Sequence, residues 1–197
     1  MSARLVPSLP RNAPRTNSGF GRWLGRTVLR LGGWRVVGEW PDLPKLVVIA
    51  APHSSAWDAL WGLAAKLAMG LRIDFMAKRE LFWWPLGWLL RTLGAVPTDR
   101  KAAHGMVGAS IARLRDNPQS WLVLAPEGTR KRVDRWKSGF WRIARGANVP
   151  VFCAYFHYPD KVIGLGAMFE MTDSLEHDMA KIREFYEPWI GKKRGTT

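Results

Sequence analysis

Cysteine is nearly absent. Cys153 stands alone in 197 residues, which excludes an internal disulfide scaffold and a CxxC metal framework and makes a reducing compartment the expectation. Acidic residues are scarce: 16 Asp plus Glu face 30 Lys plus Arg, and the resulting formal charge of +14 requires a polyanionic partner. Charge alone does not choose between nucleic acid and an anionic membrane surface. Long apolar runs are also missing. Charges break every stretch well short of the roughly 18 to 20 residues a spanning helix needs, so no transmembrane segment is expected. Residues 1–18 hold three Arg and three Pro but no apolar run of signal-peptide length, so no export signal is expected and the chain is expected to stay inside the cell.

What is present suffices for a buried core, since 47% apolar residues fit one domain and argue against wholesale disorder. Tryptophan is abundant. Several of its 12 copies stand beside Arg, Lys and Gly, the company that a membrane–water interface favours.

Four segments follow from a pass along the chain. Residues 1–18, rich in Pro, Arg, Asn and Ser, read as a flexible arm without a fold. Residues 19–40 place Arg22, Arg26 and Arg30 at four-residue steps with Trp23, Leu24, Val28 and Leu31 on other faces, the pattern of a basic amphipathic helix. Such a helix either packs with a solvated Arg face or docks on a membrane, and its glycines weaken it by about 1 kcal/mol each relative to Ala. Residues 41–191 alternate short apolar runs with helical patterns: strands at 46–51, 72–77, 95–98, 121–125, 149–156 and 162–170, and helices at 56–69, 84–93, 102–115, 139–145 and 174–189. That order predicts a single α/β domain with a mainly parallel sheet flanked by helices, in which reactive groups gather at strand ends. Residues 192–197 read as a solvated basic tail.

Three constellations can carry chemistry. His53 and Asp58 leave the first apolar run together, His53 in the loop and Asp58 in the first turns of the next helix, where Ser54 or Ser55 is placed to cap it. A neutral imidazole takes a proton from a hydroxyl near pH 7, and a carboxylate on its other nitrogen fixes the tautomer and stabilises the imidazolium. The spacing alone is weak and a plain capping loop also accounts for it; position after the strand strengthens it. His104, His157 and His177 lack such a partner and read as structural or surface residues. Next, Glu127, Gly128, Thr129 and Arg130 leave another strand. Glu127 is placed to orient a substrate, Gly128 admits close backbone approach, and Arg130, Lys131, Arg132, Arg135 and Lys137 offer a phosphate locus, although a surface turn with a solvated basic run reads the same way. The third runs from Lys78 to Arg100, basic at both ends. Between them, Phe82, Trp83, Trp84, Trp88 and Leu89 either line an acyl groove, touch lipid or belong to the core.

Taken in order, these blocks resemble the glycerophospholipid acyltransferase family, which includes the 1-acylglycerol-3-phosphate acyltransferases. The HxxxxD block is His53 to Asp58; a Lys, Pro, Gly, Gly, Arg block is Lys78, Pro85, Gly87, Gly94 and Arg100; the EGTR block is Glu127 to Arg130, followed by Lys137 and Gly139; a Val-Pro-Val block is Val149 to Val151. The resemblance implies that residues 41–191 are an acyltransferase domain in which His53, oriented by Asp58, deprotonates the hydroxyl of a lysolipid. The oxygen then attacks the thioester of acyl-CoA or acyl-carrier protein, with no bound cofactor, no metal and no acyl-enzyme. It also implies that Lys78, Arg100, Glu127, Gly128, Thr129, Arg130 and Lys137 bind the substrate, that Trp57, Phe82, Trp83, Trp84 and Trp88 form the acyl groove or meet lipid, and that 19–40 docks on the membrane. The site is then expected at the cytoplasmic face of the inner membrane, peripheral or monotopic. Pro52 stands where many members have Asn, and Lys131 where many have Ser, so the acceptor stays open between lysophosphatidic acid, another lysophospholipid and lyso-ornithine lipid. A nucleic-acid binder would leave His53, Asp58 and Glu127 unexplained, and no RNP, KH or zinc-finger pattern is present, so no nucleic-acid partner is expected. A non-catalytic membrane-binding relative is the other alternative.

Overall fold

In the computed structural model, which describes residues 4–98 and 103–195, the chain runs α1 (Gly19–Gly32), β1 (Arg35–Val37), β2 (Lys45–Ala51), α2 (Trp57–Met69), β3 (Asp74–Lys78), α3 (Leu86–Thr92), β4 (Ala95–Thr98), α4 (Ala103–Asp116), β5 (Ser120–Leu124), α5 (Gly139–Ala147), β6 (Val151–His157), β7 (Val162–Phe169) and α6 (Leu175–Tyr186). The strands form one sheet in the order β1-β7-β6-β2-β5-β3-β4. Every neighbouring pair is parallel except β6 with β7. The expected single α/β domain with a mainly parallel sheet is therefore what the chain forms.

A parallel strand covered on both faces must be apolar on both, and β2 is. Its Leu46 and Val48 belong to one core cluster, with Ala64, Ala65 and Ala68 of α2 and Leu29 of α1. Val47, Ile49 and Ala51 belong to the other, with Phe140, Ile143 and Ala144 of α5 and Ile182 and Tyr186 of α6. Central β6 is divided in the same way, Phe152 and Ala154 to one side and Val151 and Cys153 to the other. Helices thus cover both faces, and β2 lies in the middle of the sheet.

Two expectations at the start of the chain are corrected. Residues 4–18 do not behave as an arm without a fold: Val6 and Ala13 are buried in the core, Arg15 bridges Leu71, and the backbone N–H of Thr16 donates to Gly70 O at 2.8 Å while that of Arg72 donates to Pro14 O at 3.0 Å. Burial of scattered apolar side chains and backbone pairing to the β3 approach hold a segment whose composition reads as unstructured. The helix expected within 19–40 forms, but it stops at Gly32. Ser18 caps its start by accepting the Gly21 N–H at 3.0 Å, and Gly33, at φ +72°, ends it. Trp34 and Trp40 then go into the core rather than outward.

The helix glycines have a packing role. Gly21 and Gly25 are buried on the face of α1 that meets α2, and a Cβ on Gly25 would overlap the Ala68 nitrogen and the Ala64 carbonyl oxygen. Their intrinsic helix cost is offset by the close approach they allow. The opposite side of α1 leaves Phe20, Trp23 and Leu31 in solvent, Trp23 being 60% exposed. Among the described residues no helix is long and apolar enough to cross a membrane.

Candidate active site

Because β6, β2, β5 and β3 are neighbours and mutually parallel, their carboxyl ends emerge along one edge of the sheet. His53 follows β2, Glu127 follows β5, Tyr158 follows β6, and Lys78 closes β3. Topology alone gathers residues that lie far apart in the chain. Pro52, joined to Ala51 by a cis peptide bond, opens the loop that carries His53 into α2.

That loop is folded around a carboxylate. Asp58, in the first turn of α2 and 2% exposed, accepts the N–H groups of Ser54 and Ser55 on Oδ2, each at 2.8 Å. The same oxygen faces His53 Nδ1 at 3.2 Å, and Oδ1 accepts the Tyr158 hydroxyl at 2.6 Å. Burial pushes the Asp58 carboxyl up, but the hydrogen bonds from His53, Tyr158 and the Ser55 N–H outweigh it and hold the pKa below the ordinary value. Burial and the adjacent Asp58 charge push the Tyr158 hydroxyl well above its ordinary range, so it keeps its proton and donates. The expected helix cap is divided: Ser55 Oγ accepts the Trp57 N–H at 3.3 Å, whereas Ser54 Oγ accepts the N–H of Lys193 at 3.2 Å. With Nδ1 turned to Asp58, Nε2 is the nitrogen left for a substrate proton.

Glu127 is placed differently from its expected role in touching substrate. Its side chain is fully buried, Oε1 accepts the backbone N–H of His53 at 2.7 Å, and Oε2 accepts Arg194 Nη2 at 2.6 Å. A carboxylate in that position ties the two motif loops together, and both of its oxygens are engaged in doing so. Gly128 takes φ +64°, where an L side chain is strained, and a Cβ there would come within 2.8 Å of Lys137 Cδ and Cε. The Lys137 stem therefore lies across the turn, and its N–H donates to Pro126 O at 2.9 Å. Thr129 Oγ1 accepts the Lys131 N–H at 3.3 Å, while Arg130, Lys131, Arg132, Arg135 and Lys137 are exposed beside the loop.

Of the remaining expected site residues, Lys78 is exposed at the same sheet edge, and Arg100 lies outside the described residues. Trp57 is half exposed, stacked on Trp61, with Lys192 Nζ 4.7 Å from its ring centroid. Trp83, Trp84 and Trp88 are exposed, Trp84 to 85%, so the core reading does not apply to them. Phe82 is only partly exposed, under the Arg91 guanidinium. Among the described residues no three His, Cys, Asp or Glu side chains gather as a metal site.

Sequence reasoning missed Tyr158, Arg194 and Lys192. Tyr158 lies 100 residues from Asp58, and its one available signal is that it follows a strand pairing in parallel with the strand before His53. Of the tail expected to be solvated, residues 192–195 run back over the site: Lys192 and Lys193 stay exposed as expected, whereas the Arg194 side chain is largely buried. Arg194 reads as solvated because its acidic partner is buried and distant in the chain.

A His–Asp pair and a basic turn on strand-end loops of a mainly parallel sheet define an α/β protein with a candidate site at the sheet's carboxyl edge, and similarity to known proteins is specific about its family. A family model described as Acyltransferase matches residues 40–157, more than half of the chain, and the chain belongs to that family. It is 31% identical over 127 residues, 64% of its length, to a 1-acyl-sn-glycerol-3-phosphate acyltransferase of Streptococcus pneumoniae (strain ATCC BAA-255 / R6), of which it covers 47%. The chain thus spans about half the length of that curated relative. Its fold is similar to the crystal structure of the 1-acyl-sn-glycerophosphate (LPA) acyltransferase PlsC from Thermotoga maritima, with a TM-score of 0.63 at 20% identity over 84% of this chain and 75% of that one.

Proposed function

We propose that the protein transfers a fatty acyl group from the thioester of acyl-CoA or acyl-carrier protein to the free hydroxyl of a lysophospholipid of the 1-acylglycerol-3-phosphate type. The observation that carries this is the His53 Nδ1 to Asp58 Oδ2 contact of 3.2 Å at a strand end, with Asp58 held by three further donors. His53 Nε2 takes the acceptor's hydroxyl proton as that oxygen bonds to the thioester carbonyl carbon. The tetrahedral adduct collapses with cleavage of the C–S bond, and the proton on His53 passes to the departing thiolate. Asp58 steadies the imidazolium between the two transfers. Bound cofactor or metal has no part in this scheme.

Arg130, Lys137 and Lys78 are assigned to the acceptor phosphate, a role their exposure supports, and Arg100 is assigned with them from its motif. Glu127 acts behind them by holding His53. Trp57 at the site, and Trp83, Trp84 and Trp88 near α3, supply apolar surface for the acyl chain or for lipid. Together with Phe20, Trp23 and Leu31 of α1 and the charge of +14, they favour work on an anionic membrane surface, peripheral or monotopic, at the cytoplasmic face. Purified protein offered labelled acyl-CoA and acyl-carrier protein against lysophosphatidic acid, other lysophospholipids and lyso-ornithine lipid tests the reading. Formation of phosphatidic acid supports it; acylation of lyso-ornithine lipid alone would replace the acceptor, and no transfer to any acceptor would remove the reading.

A further inference from the structure

A buried carboxylate is costly unless its charge is balanced and its lone pairs are filled. Glu127 meets both needs through two distant segments: the His53 N–H at 2.7 Å on Oε1 and the Arg194 guanidinium at 2.6 Å on Oε2. Arg194 is itself largely buried, its side chain 18% exposed, and its fork reaches further, from Nη2 to Lys131 O at 2.7 Å and from Nη1 to Gly195 O at 2.8 Å. One side chain thus holds the Glu127 carboxylate and the backbone of the basic turn at once.

The residues around Arg194 grip the other motif loop. The Lys193 N–H donates to Ser54 Oγ at 3.2 Å, a Cβ on Gly191 would lie 2.6 Å from that oxygen, and Lys192 Nζ sits over the Trp57 ring. Segment 191–195 therefore touches both the His53 loop and the Glu127 loop. Cations here are Arg194, Lys192, Lys131 and Lys137; the buried anions are Glu127 and Asp58.

We infer that Arg194 is a positioning residue for the acyl-transfer site, fixing Glu127 so that Glu127 in turn fixes the backbone of His53; the catalytic part of this inference rests on the function proposed above. Without the guanidinium, Glu127 is a stranded buried charge that either takes up a proton or turns toward water. Each relaxation weakens the bond to the His53 N–H, and the imidazole loses its fixed attack position. Lysine supplies the charge without the planar fork, so it restores the pairing in part.

The test follows amide hydrogen exchange and steady-state kinetics in wild type, Arg194→Met, Arg194→Lys and the double variant Glu127→Gln/Arg194→Met. Arg194→Met is expected to speed exchange at the His53 amide about tenfold or more while the β2 and β6 amides of Val48 and Ala154 stay within about twofold, because only local opening is made easier. Its kcat should fall about tenfold with KM for donor and acceptor within about twofold, the split of an effect on reacting geometry, and Arg194→Lys should recover part of both. A folded Arg194→Met with His53 exchange and kcat both within twofold of wild type overturns the inference, as does acceleration spread evenly over all amides. If Arg194→Met does not fold, the double variant, which strands no buried charge, should fold; equal failure of the double overturns the pairing. Wild type that transfers no acyl group while Arg194→Met still loses protection at His53 refutes the proposed function and leaves the Arg194–Glu127 pairing supported.

Discussion

Replacing Asp58 by Asn changes charge with little change in shape, and the geometry says what should follow. The side-chain carbonyl of Asn can take the place of Oδ2 and keep the bonds from Ser54 N–H, Ser55 N–H and His53 Nδ1, while its amide turns toward Tyr158, whose hydroxyl rotates to accept. The variant should fold. What it loses is the negative charge beside the imidazolium of the transition state. Over about 4 Å at an effective dielectric of about 20 that attraction is about 4 kcal/mol, and water reaching the His53 side chain reduces it to about 3 kcal/mol. Since 1.36 kcal/mol is a factor of ten, kcat/KM should fall about a hundredfold, mainly in kcat. Urea denaturation establishes that the variant is folded, and initial rates of acyl transfer measure the loss. Turnover within about threefold of wild type in folded Asp58→Asn would refute the role assigned to the carboxylate.

Further outcomes follow from the same contacts. Tyr158→Phe removes a hydrogen bond to a buried carboxylate, about 1.5 to 3 kcal/mol of interaction, and should cut kcat about tenfold; an unchanged kcat would limit Tyr158 to packing on Trp34. The folded pKa of Asp58 lies below the ordinary 3.8, so its ionised form stabilises the fold above that pH, and the contribution is lost as pH falls through the lower folded value. The stability gap between wild type and Asp58→Asn should therefore narrow at acid pH, and a gap that widens would reverse the assigned sign. Gly25→Val forces side-chain atoms into the α2 backbone and should destabilise by about 1 to 3 kcal/mol in urea; no change would mean α1 does not hold its close packing in solution. The double variant Trp84→Ser/Trp88→Ser should bind anionic vesicles about tenfold more weakly if those rings enter lipid, and unchanged partitioning would take them off the membrane surface.

Much of this arrangement is legible in the order of residues. Short β-rich runs between helical patterns give the parallel sheet, and a parallel sheet puts loop residues from different strands at one edge, which is why His53 and the Glu127 turn can be assigned to one site before any coordinates. Strand β1 escapes because three residues, Arg35–Val37, sit between tryptophans in a basic stretch that continues the helix pattern. Gly21 and Gly25 read as weak helix positions because propensity sees the residue alone, and their value lies in what α2 brings against them. Residues 4–18 read as unstructured because pairing to residues 70–72 and burial of isolated side chains leave no periodic trace. Arg194 and Tyr158 are set by tertiary geometry over 67 and 100 residues of chain, where local spacing carries no signal. Glu127 is expected from its motif to orient a substrate, and the donors that occupy both its oxygens, His53 N–H and Arg194, lie 74 and 67 residues away, where local spacing gives no sign of them.

The most direct measurement is acyl transfer by wild type and His53→Ala under one condition, in vesicles, with product followed by mass. Wild type should form a diacyl product from lysolipid and acyl thioester, and His53→Ala, equally folded and equally vesicle-bound, should form about a thousandth as much or less, because the general base is gone. Product from His53→Ala at a rate near that of wild type would contradict base catalysis by His53 and with it the proposed mechanism.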